Sequence, residues 1–259
     1  MQVAYKWLDS KDMKQVVELH RKTFSIEQLR QTIYFSPTVC YYLENIVSYP
    51  HLQKFNYFFG AWLKNKLIAY AHYKIIKDSL HLNNIVVDPI YQGYGIGRHL
   101  IDEWFNKAQE TKVRQITLDV TESNRKAYEW YLRLGLKALS KKWVYECVLS
   151  PNKFLSKDSM DCFKLLEWEN TMAWWRTYGF TKIRLDFYSI IWEVGWIHES
   201  LKISSNFPCQ LFDTILFLAP KARWLFMESK EKILQFQDCY NKCNLSDVIV
   251  RMKAHTSEK

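Results

Sequence analysis

The chain has 259 residues, 48% of them hydrophobic, and a formal net charge of +9. This length allows one large or two small domains with substantial cores, and we predict two. The basic residues form no dense cluster, which disfavours a nucleic-acid-binding protein, and no apolar run reaches the ~18 residues of a membrane-spanning helix.

The N-terminal segment MQVAYKWLDSKD lacks the apolar stretch of a signal peptide, which predicts a cytoplasmic protein. Within it VAYKWL alternates like a strand, and DSKDMKQVVELHRKTF predicts a capped amphipathic helix. A second helix, an aromatic segment and three strand-like runs follow, and the last run ends in LNNIVV. This order predicts a mixed α/β sheet.

A glycine-rich loop comes next in the sequence. After it RHLIDEWFNKAQE predicts a helix, VRQITLDV a strand, NRKAYEWYLRLG a second helix and KKWVYECVL a last strand. A helix flanked by two strands in this way places ligands beyond the carboxyl ends of the strands. We place a domain boundary after Leu149, which divides the chain into domains 1–149 and 150–259.

The second half predicts a smaller α+β domain. FKLLEWENTMAWWRTYG is typical of a helix, TKIRLDFYSIIWEV of a strand, KARWLFMESKEKILQFQDCYNK of a long helix and DVIVRMK of a strand. WENTMAWWRTYGF shares Asn, Ala and Gly with NRKAYEWYLRLGL of the first half, although at different spacing. The tryptophans of this half are expected to pack within the chain or to form a homodimer surface.

The six cysteines form neither a CxxC pair nor a zinc-type spacing with histidine. We therefore predict no metal site. Together with the expected cytoplasmic location, this scatter predicts reduced thiols.

Three of the seven glycines lie together, at Gly93, Gly95 and Gly97, between a strand and a helix. Backbone N–H groups at such a helix start favour an anion. The charge distribution also suits an anionic ligand, because residues 1–150 carry 21 Lys and Arg against 14 Asp and Glu, or +7 of the net +9. A P-loop is excluded because no Lys-Ser or Lys-Thr follows Gly97, and a dinucleotide fingerprint is excluded because residue 98 is arginine.

The run from Gln92 to Gly97 fits the pattern Q/R-x-x-G-x-G/A and resembles the GNAT superfamily of acyl-CoA N-acyltransferases. LHLNNIVVDPIYQGYGIGRHLIDE resembles that family's fourth strand, pyrophosphate loop and third helix. ITLDVTESNRKAYEWYLRLGL resembles its fifth strand and fourth helix. The resemblance covers roughly residues 1–149. It implies a GNAT acyl-CoA N-acyltransferase fold followed by either a degenerate GNAT-like half or an unrelated α+β domain.

The resemblance also implies a reaction, direct transfer of an acetyl group from the thioester of acetyl-CoA to a primary amine. The main chain of one strand and of the glycine loop would bind the coenzyme, at Ile85, Val86, Val87, Gln92, Gly93, Tyr94, Gly95, Ile96, Gly97 and Arg98. Asn124, Ala127 and Tyr131 share one helix face, which meets coenzyme A in this family.

In the family, the position of Tyr131 donates a proton to the leaving thiolate, although a tyrosine there is also a plausible core aromatic. The general base is less defined, since the fourth strand offers asparagines where some relatives have a carboxylate. We select Glu122 as the base. Asp119, His72, His81 and a chain of water molecules remain alternatives.

The acceptor is expected to be an amine of a small molecule or a protein, with no nucleic acid or membrane as partner. A function of a different class remains open, that of a catalytically silent coenzyme A-binding or protein-interaction module. The lack of a strand carboxylate favours the silent module, whereas the intact glycine loop together with Tyr131 favours the enzyme.

Overall fold

The computed structural model describes residues 2–149, 163–204, 206–208, 211–228 and 240–256. The strands are β1 (Ala4–Trp7), β2 (Asn56–Leu63), β3 (Lys66–Ile76), β4 (Ser79–Val87), β5 (Gln115–Thr121), β6 (Lys137–Leu149), β7 (Phe163–Leu166), β8 (Phe180–Phe187), β9 (Ile190–Ile197), β10 (Ser200–Ile203), β11 (Trp224–Met227) and β12 (Tyr240–His255). The helices are α1 (Met13–Thr23), α2 (Ile26–Leu29), α3 (Val39–Ser48), α4 (Pro50–Gln53), α5 (Ile96–Glu110), α6 (Arg125–Arg133), α7 (Trp168–Tyr178) and α8 (Phe212–Leu218). The expectation of a mixed α/β fold is confirmed.

The chain divides into two compact units. The first comprises Met1–Ser25, Cys40–Lys141 and Ile249–Lys259, and the second comprises Ile26–Val39 and Lys142–Val248. The predicted boundary after Leu149 treats each domain as one continuous segment. The units instead draw on several segments, because the end of β12 pairs with β5 in the first unit and residues 145–148 of β6 pair with β11 in the second.

In the first unit the strands run in the order β1-β2-β3-β4-β5-β12. All neighbours are antiparallel except β4 and β5, which are parallel and are linked through α5. One face of α5 is apolar and buries Leu100, Ile101 and Trp104 completely. The indole N–H of Trp104 donates to the carbonyl of Leu80 at 3.2 Å, so this large side chain is buried without an unpaired donor.

The ladder between β4 and β5 ends at Leu82 and Leu118. Beyond it β4 continues alongside β3, with a bulge that leaves Asn83 without an opposite residue. Residues 83–87 and 119–121 therefore lie outside the β4–β5 ladder, and a splay opens where the resemblance expects the coenzyme arm. The fold thus separates the two strands at the carboxyl ends that the sequence identified.

The second unit repeats the strand pattern of the first. Strands β7, β8, β9 and β10 are successively antiparallel, and β10 and β11 are parallel and linked through α8. The segment SSNFPCQL between β10 and α8 contains no glycine. Of the two interpretations of the second half, the structure therefore favours a degenerate copy, and this copy lacks the glycine loop.

Some expectations about the second half and the cysteines are wrong. Phe163–Leu166, predicted as the start of a helix, is strand β7, and TKIRLDFYSIIWEV, predicted as one strand, forms the antiparallel pair β8 and β9. Trp224–Met227, predicted as the start of a long helix, is strand β11, while residues 229–239 lie outside the described residues. The expectation of reduced thiols fails at Cys147 and Cys243, which form a disulfide. Their separation of 96 residues hid the pairing, since only the folding of β6 and β12 brings them together.

Candidate active site

The glycine loop forms the start of α5. Gly95 is the N-cap with φ 79°, and Gly93 has φ 87°, so both occupy the left-handed region that favours glycine. The backbone N–H groups of residues 93–97 have no acceptor in the described part of the chain. Several donors and the positive end of the helix dipole therefore face the same place, which suits a pyrophosphate.

The buried carboxylate of Asp88 fixes the entry to this loop. One oxygen accepts from the N–H of Ile90 at 3.3 Å, and the other lies 2.8 Å from Nζ of Lys22 and 3.9 Å from Nζ of Lys66. Burial alone would raise the pKa of Asp88. The hydrogen bonds from Lys22 and Ile90 and the charges of the two lysines lower it by more, so the net shift is downward. Asp88 therefore remains ionised and holds the end of β4 in place.

The glycine loop, the end of β4 and helix α6 converge. A Cβ added at Gly97 would lie 3.4 Å from the ring of Trp130 and 3.8 Å from the side chain of Val87. Nζ of Lys126 also donates to the side-chain carbonyl of Gln92 at 3.4 Å. The residues predicted to bind coenzyme along β4, the loop and α6 are therefore neighbours in the fold.

Helix α6 positions Asn124, Ala127 and Tyr131. Asn124 is its N-cap, and its side-chain oxygen accepts from the N–H of Ala127 at 3.2 Å, which leaves its amide N–H groups for a ligand. Tyr131 is 5% exposed and stacks on Trp130. Burial raises the pKa of Tyr131 above its ordinary value, so the phenol stays protonated at physiological pH. Tyr131 thus packs in the core and still carries a proton to donate.

The four candidate bases have different environments. Glu122 is 39% exposed and accepts from Nζ of Lys141 at 2.7 Å. In His72, the side chains of Asn56 and Asn83 engage both ring nitrogens at 3.1 Å. Burial, with smaller contributions from Lys74 and His81, lowers the pKa of His72 to about 3. His72 is therefore a neutral structural histidine and a poor base.

Asp119 is the first residue of β5 beyond the β4–β5 ladder, and Arg251 lies directly opposite it on β12. The guanidinium donates to both carboxylate oxygens, with Nη2 at 2.7 Å from Oδ2. Nearby, Nδ1 of His81 lies 3.0 Å from the hydroxyl of Thr117. Burial lowers the pKa of His81 to about 4, against the opposing charge of Asp119. We call His81, Thr117, Asp119 and Arg251 the polar cluster.

The polar cluster lies on the face of the sheet that α5 does not cover. Ile116, Leu118 and Val120 of β5 belong to the core under α5, so Thr117 and Asp119 alternate to the opposite face. The sequence analysis considered Asp119 and His81 but missed Arg251. No local signal could have found it, because it pairs with Asp119 across 132 residues of sequence.

The sequence predicts neither a metal site nor a membrane-spanning helix. In the described ranges, no group of three or more His, Cys, Asp or Glu side chains could hold a metal ion. In the same ranges, no helix is both long and apolar enough to cross a membrane.

Part of the chain is similar to a known protein family. Residues 13–136 match the family model "Acetyltransferase (GNAT) family". A curated relative from Escherichia coli K12, "[Ribosomal protein bS18]-alanine N-acetyltransferase", is 36% identical over 70 residues. That match covers 27% of this chain and 47% of the relative, so the chain spans about half the length of the curated relatives it matches.

Solved structures resemble the chain over almost its whole length. A putative acetyltransferase from Pyrococcus horikoshii aligns with 98% of this chain and 89% of its own, with a TM-score of 0.69 at 12% identity. A tandem GNAT protein from the clavulanic acid biosynthesis pathway aligns over 100% of both chains, with a TM-score of 0.65 at 9% identity. At these identities the likeness shows the fold alone, and it agrees with the repeated strand pattern described above.

Proposed function

We propose that the chain is an acetyl-CoA-dependent N-acetyltransferase with a primary amine as acceptor, because residues 13–136 match the family model of GNAT acetyltransferases. The observation that carries the proposal is the set of N–H groups at residues 93–97, which lack an acceptor in the described ranges. These donors lie at the start of a helix beside the splay between β4 and β5. A pyrophosphate satisfies them, and the thioester arm then reaches the splay.

Each part of the site has a task in the transfer. The N–H groups of residues 93–97 bind the pyrophosphate, and the main chain of residues 85–87 binds the arm beyond the β4–β5 ladder. The amine attacks the thioester carbonyl, the carbon–sulfur bond breaks, and Tyr131 donates its phenolic proton to the departing thiolate. The high pKa of Tyr131 keeps that proton in place until the thiolate forms.

Two carboxylates remain as candidates for the base. Glu122 stays a prediction, and its carboxylate accepts a hydrogen bond from Lys141. Asp119 is better placed, because it is the first residue of β5 beyond the ladder with β4. A carboxylate offers about four lone-pair sites. Arg251 occupies two of them, so sites remain for an amine proton or for a bridging water.

Substitution of the two carboxylates should separate these roles. We expect Asp119→Asn to lower kcat/KM by roughly 100-fold or more, the usual size of a lost general base. Glu122→Gln is the matched control and should change kcat/KM less than about threefold, since a surface ion pair contributes little. The measurement is kcat/KM of the wild type and of both variants, from steady-state kinetics across pH 6–9. A large loss with Glu122→Gln and none with Asp119→Asn would return the base to Glu122.

The acceptor is an amine of a small molecule or a protein. The curated relatives are named for acetylating an alanine of ribosomal protein bS18, so a peptide with a free N-terminal alanine belongs in the first screen. Thiol release from acetyl-CoA should be followed with that peptide, with lysine-containing peptides and with small primary amines. Turnover of acetyl-CoA dependent on one of them supports the enzyme, whereas tight coenzyme A binding with no turnover supports the silent module.

The remaining partner assignments are also proposals. A cytoplasmic location, the absence of nucleic-acid and membrane partners, and a homodimer all stay predictions. The Cys147–Cys243 disulfide is the observation that weighs against a cytoplasmic location, because disulfides are rare in reducing compartments.

A further inference from the structure

The first unit contains a pocket that the proposed transfer reaction does not use. It has a volume of about 290 Å³ and lies where β1 ends at the edge of the sheet and β2 begins. Its lining combines the aromatic side chains of Trp7, Tyr57 and Phe58 with the polar side chains of Gln53, Lys54, Asn56 and Lys107. The lining includes two lysines and no carboxylate. This combination favours an occupant with both a flat apolar part and a negative charge.

Lys107 gives the pocket its chemistry. Its side chain is 10% exposed, and Nζ lies 4.5 Å from the ring centre of Trp7 and 4.9 Å from that of Tyr57. Glu110 accepts one hydrogen bond from Nζ at 2.6 Å, while the Glu110 side chain itself is 67% exposed. An ammonium has three donors. Two N–H donors of Lys107 therefore remain without an acceptor in the described surroundings. They lie next to two aromatic rings and are shielded from water, so a second anion binds there more strongly than at the surface.

The pocket is separate from the acyl-transfer site. Gly95 caps the start of α5 and Lys107 lies 12 residues further along the same helix, which is about 18 Å at 1.5 Å per residue. The pocket also lies beside the start of β2, which pairs with the end of β3 remote from the splay. An occupant of the pocket therefore does not contact the glycine loop.

We propose that this pocket binds a small aromatic carboxylate, with its ring against the aromatic side chains of the lining and the carboxylate on Lys107. Its volume is roughly twice the ~150 Å³ of a cavity that holds one benzene ring, so a fused two-ring acid fits. The rings supply offset stacking, and the ammonium supplies a charge-assisted hydrogen bond. The occupant is a ligand in addition to acetyl-CoA and the acceptor amine.

The test uses 2-naphthoate as the anionic probe and 2-naphthamide as its neutral counterpart, each titrated calorimetrically into the full chain. We expect 2-naphthoate to bind at least about 10-fold more tightly than the amide, because only the acid forms a charge-assisted bond. Lys107→Met keeps an apolar side chain between the rings and should weaken 2-naphthoate about 10-fold. The same substitution should leave 2-naphthamide unchanged. Glu110→Gln removes the competing carboxylate and should strengthen 2-naphthoate about threefold.

The opposite responses to Lys107→Met and Glu110→Gln separate anion recognition from a general change in folding. Circular dichroism and acetyl-CoA binding should be unchanged in both variants. Failure of the folded wild type to bind 2-naphthoate at millimolar concentration would overturn the proposal. Equal affinity for the acid and the amide, or no effect of Lys107→Met on the acid, would do the same.

Discussion

The Gly95→Val, Gly97→Val double variant is expected to lose acetyl-CoA binding by at least about 100-fold in a calorimetric titration. Gly95 has φ 79°, where a branched side chain is strained, and no atom lies within 4 Å of an added Cβ. The side chain added at position 95 therefore extends into the space that the anion must enter, whereas the one added at position 97 presses against Trp130 and Val87. Each hydrogen bond to a charged group is worth about 1.5–3 kcal/mol, so loss of two of them already exceeds a factor of 100.

A matched control separates backbone strain from a blocked site. Gly135, which follows α6, also has positive φ, at 90°, and nothing lies within 4 Å of an added Cβ there. Gly135→Val should cost similar stability and leave acetyl-CoA binding within about threefold of wild type. If the loop variant bound as tightly as the control, residues 93–97 would not be the pyrophosphate site. Loss of binding in both variants would attribute the effect to folding.

Much of the first unit could be predicted because its signals are local. Alternation predicted the strands, and the glycines between LNNIVV and a helical segment predicted the turn that begins α5. Positive φ at Gly93 and Gly95 bears out the need for glycine there. The spacing of Asn124 and Tyr131 placed them on one face of α6, although Asn124 proved also to cap the helix. These features each depend on a few consecutive residues.

The features that escaped prediction depend on pairing between distant segments. Arg251 meets Asp119 only because the end of β12 pairs with β5. Cys147 meets Cys243 only because β6 and β12 are neighbouring strands. The apolar run at Trp224–Met227 shows the same limitation. Its periodicity fits a helix as well as a strand, and pairing with β6 and β10 decides for a strand.

The internal repeat was also hard to align from sequence. WENTMAWWRTYGF was compared with the segment that forms α6, which follows the parallel pair of the first unit. In the structure it forms α7, which lies between β7 and β8, ahead of the antiparallel strands of the second unit. Its counterpart by position is among the helices between β1 and β2. The repeat is therefore recognised from the order of the strands and not from matching residues, because the second half keeps the strand pattern but lacks the glycines of the loop.

Tyr131→Phe should lower kcat by roughly 100-fold or more while leaving the Kd for acetyl-CoA within about threefold of wild type. The substitution removes only the hydroxyl and keeps the ring that stacks on Trp130, so packing changes little. Loss of a general acid typically costs a factor of 10² to 10⁴. Initial rates at saturating acceptor, together with a calorimetric titration of acetyl-CoA, measure the two quantities separately.

The pH dependence of the wild type supplies an independent check of this assignment. Because burial raises the pKa of Tyr131 above its ordinary value, the acid form persists from neutral pH upward and is lost only above the pH at which an exposed tyrosine ionises. Activity should therefore show no alkaline decline from this group between pH 8 and 10. Tyr128→Phe on the same helix is the matched control and should retain kcat. Full turnover by Tyr131→Phe would leave Tyr131 as a core aromatic and assign the thiolate's proton to water.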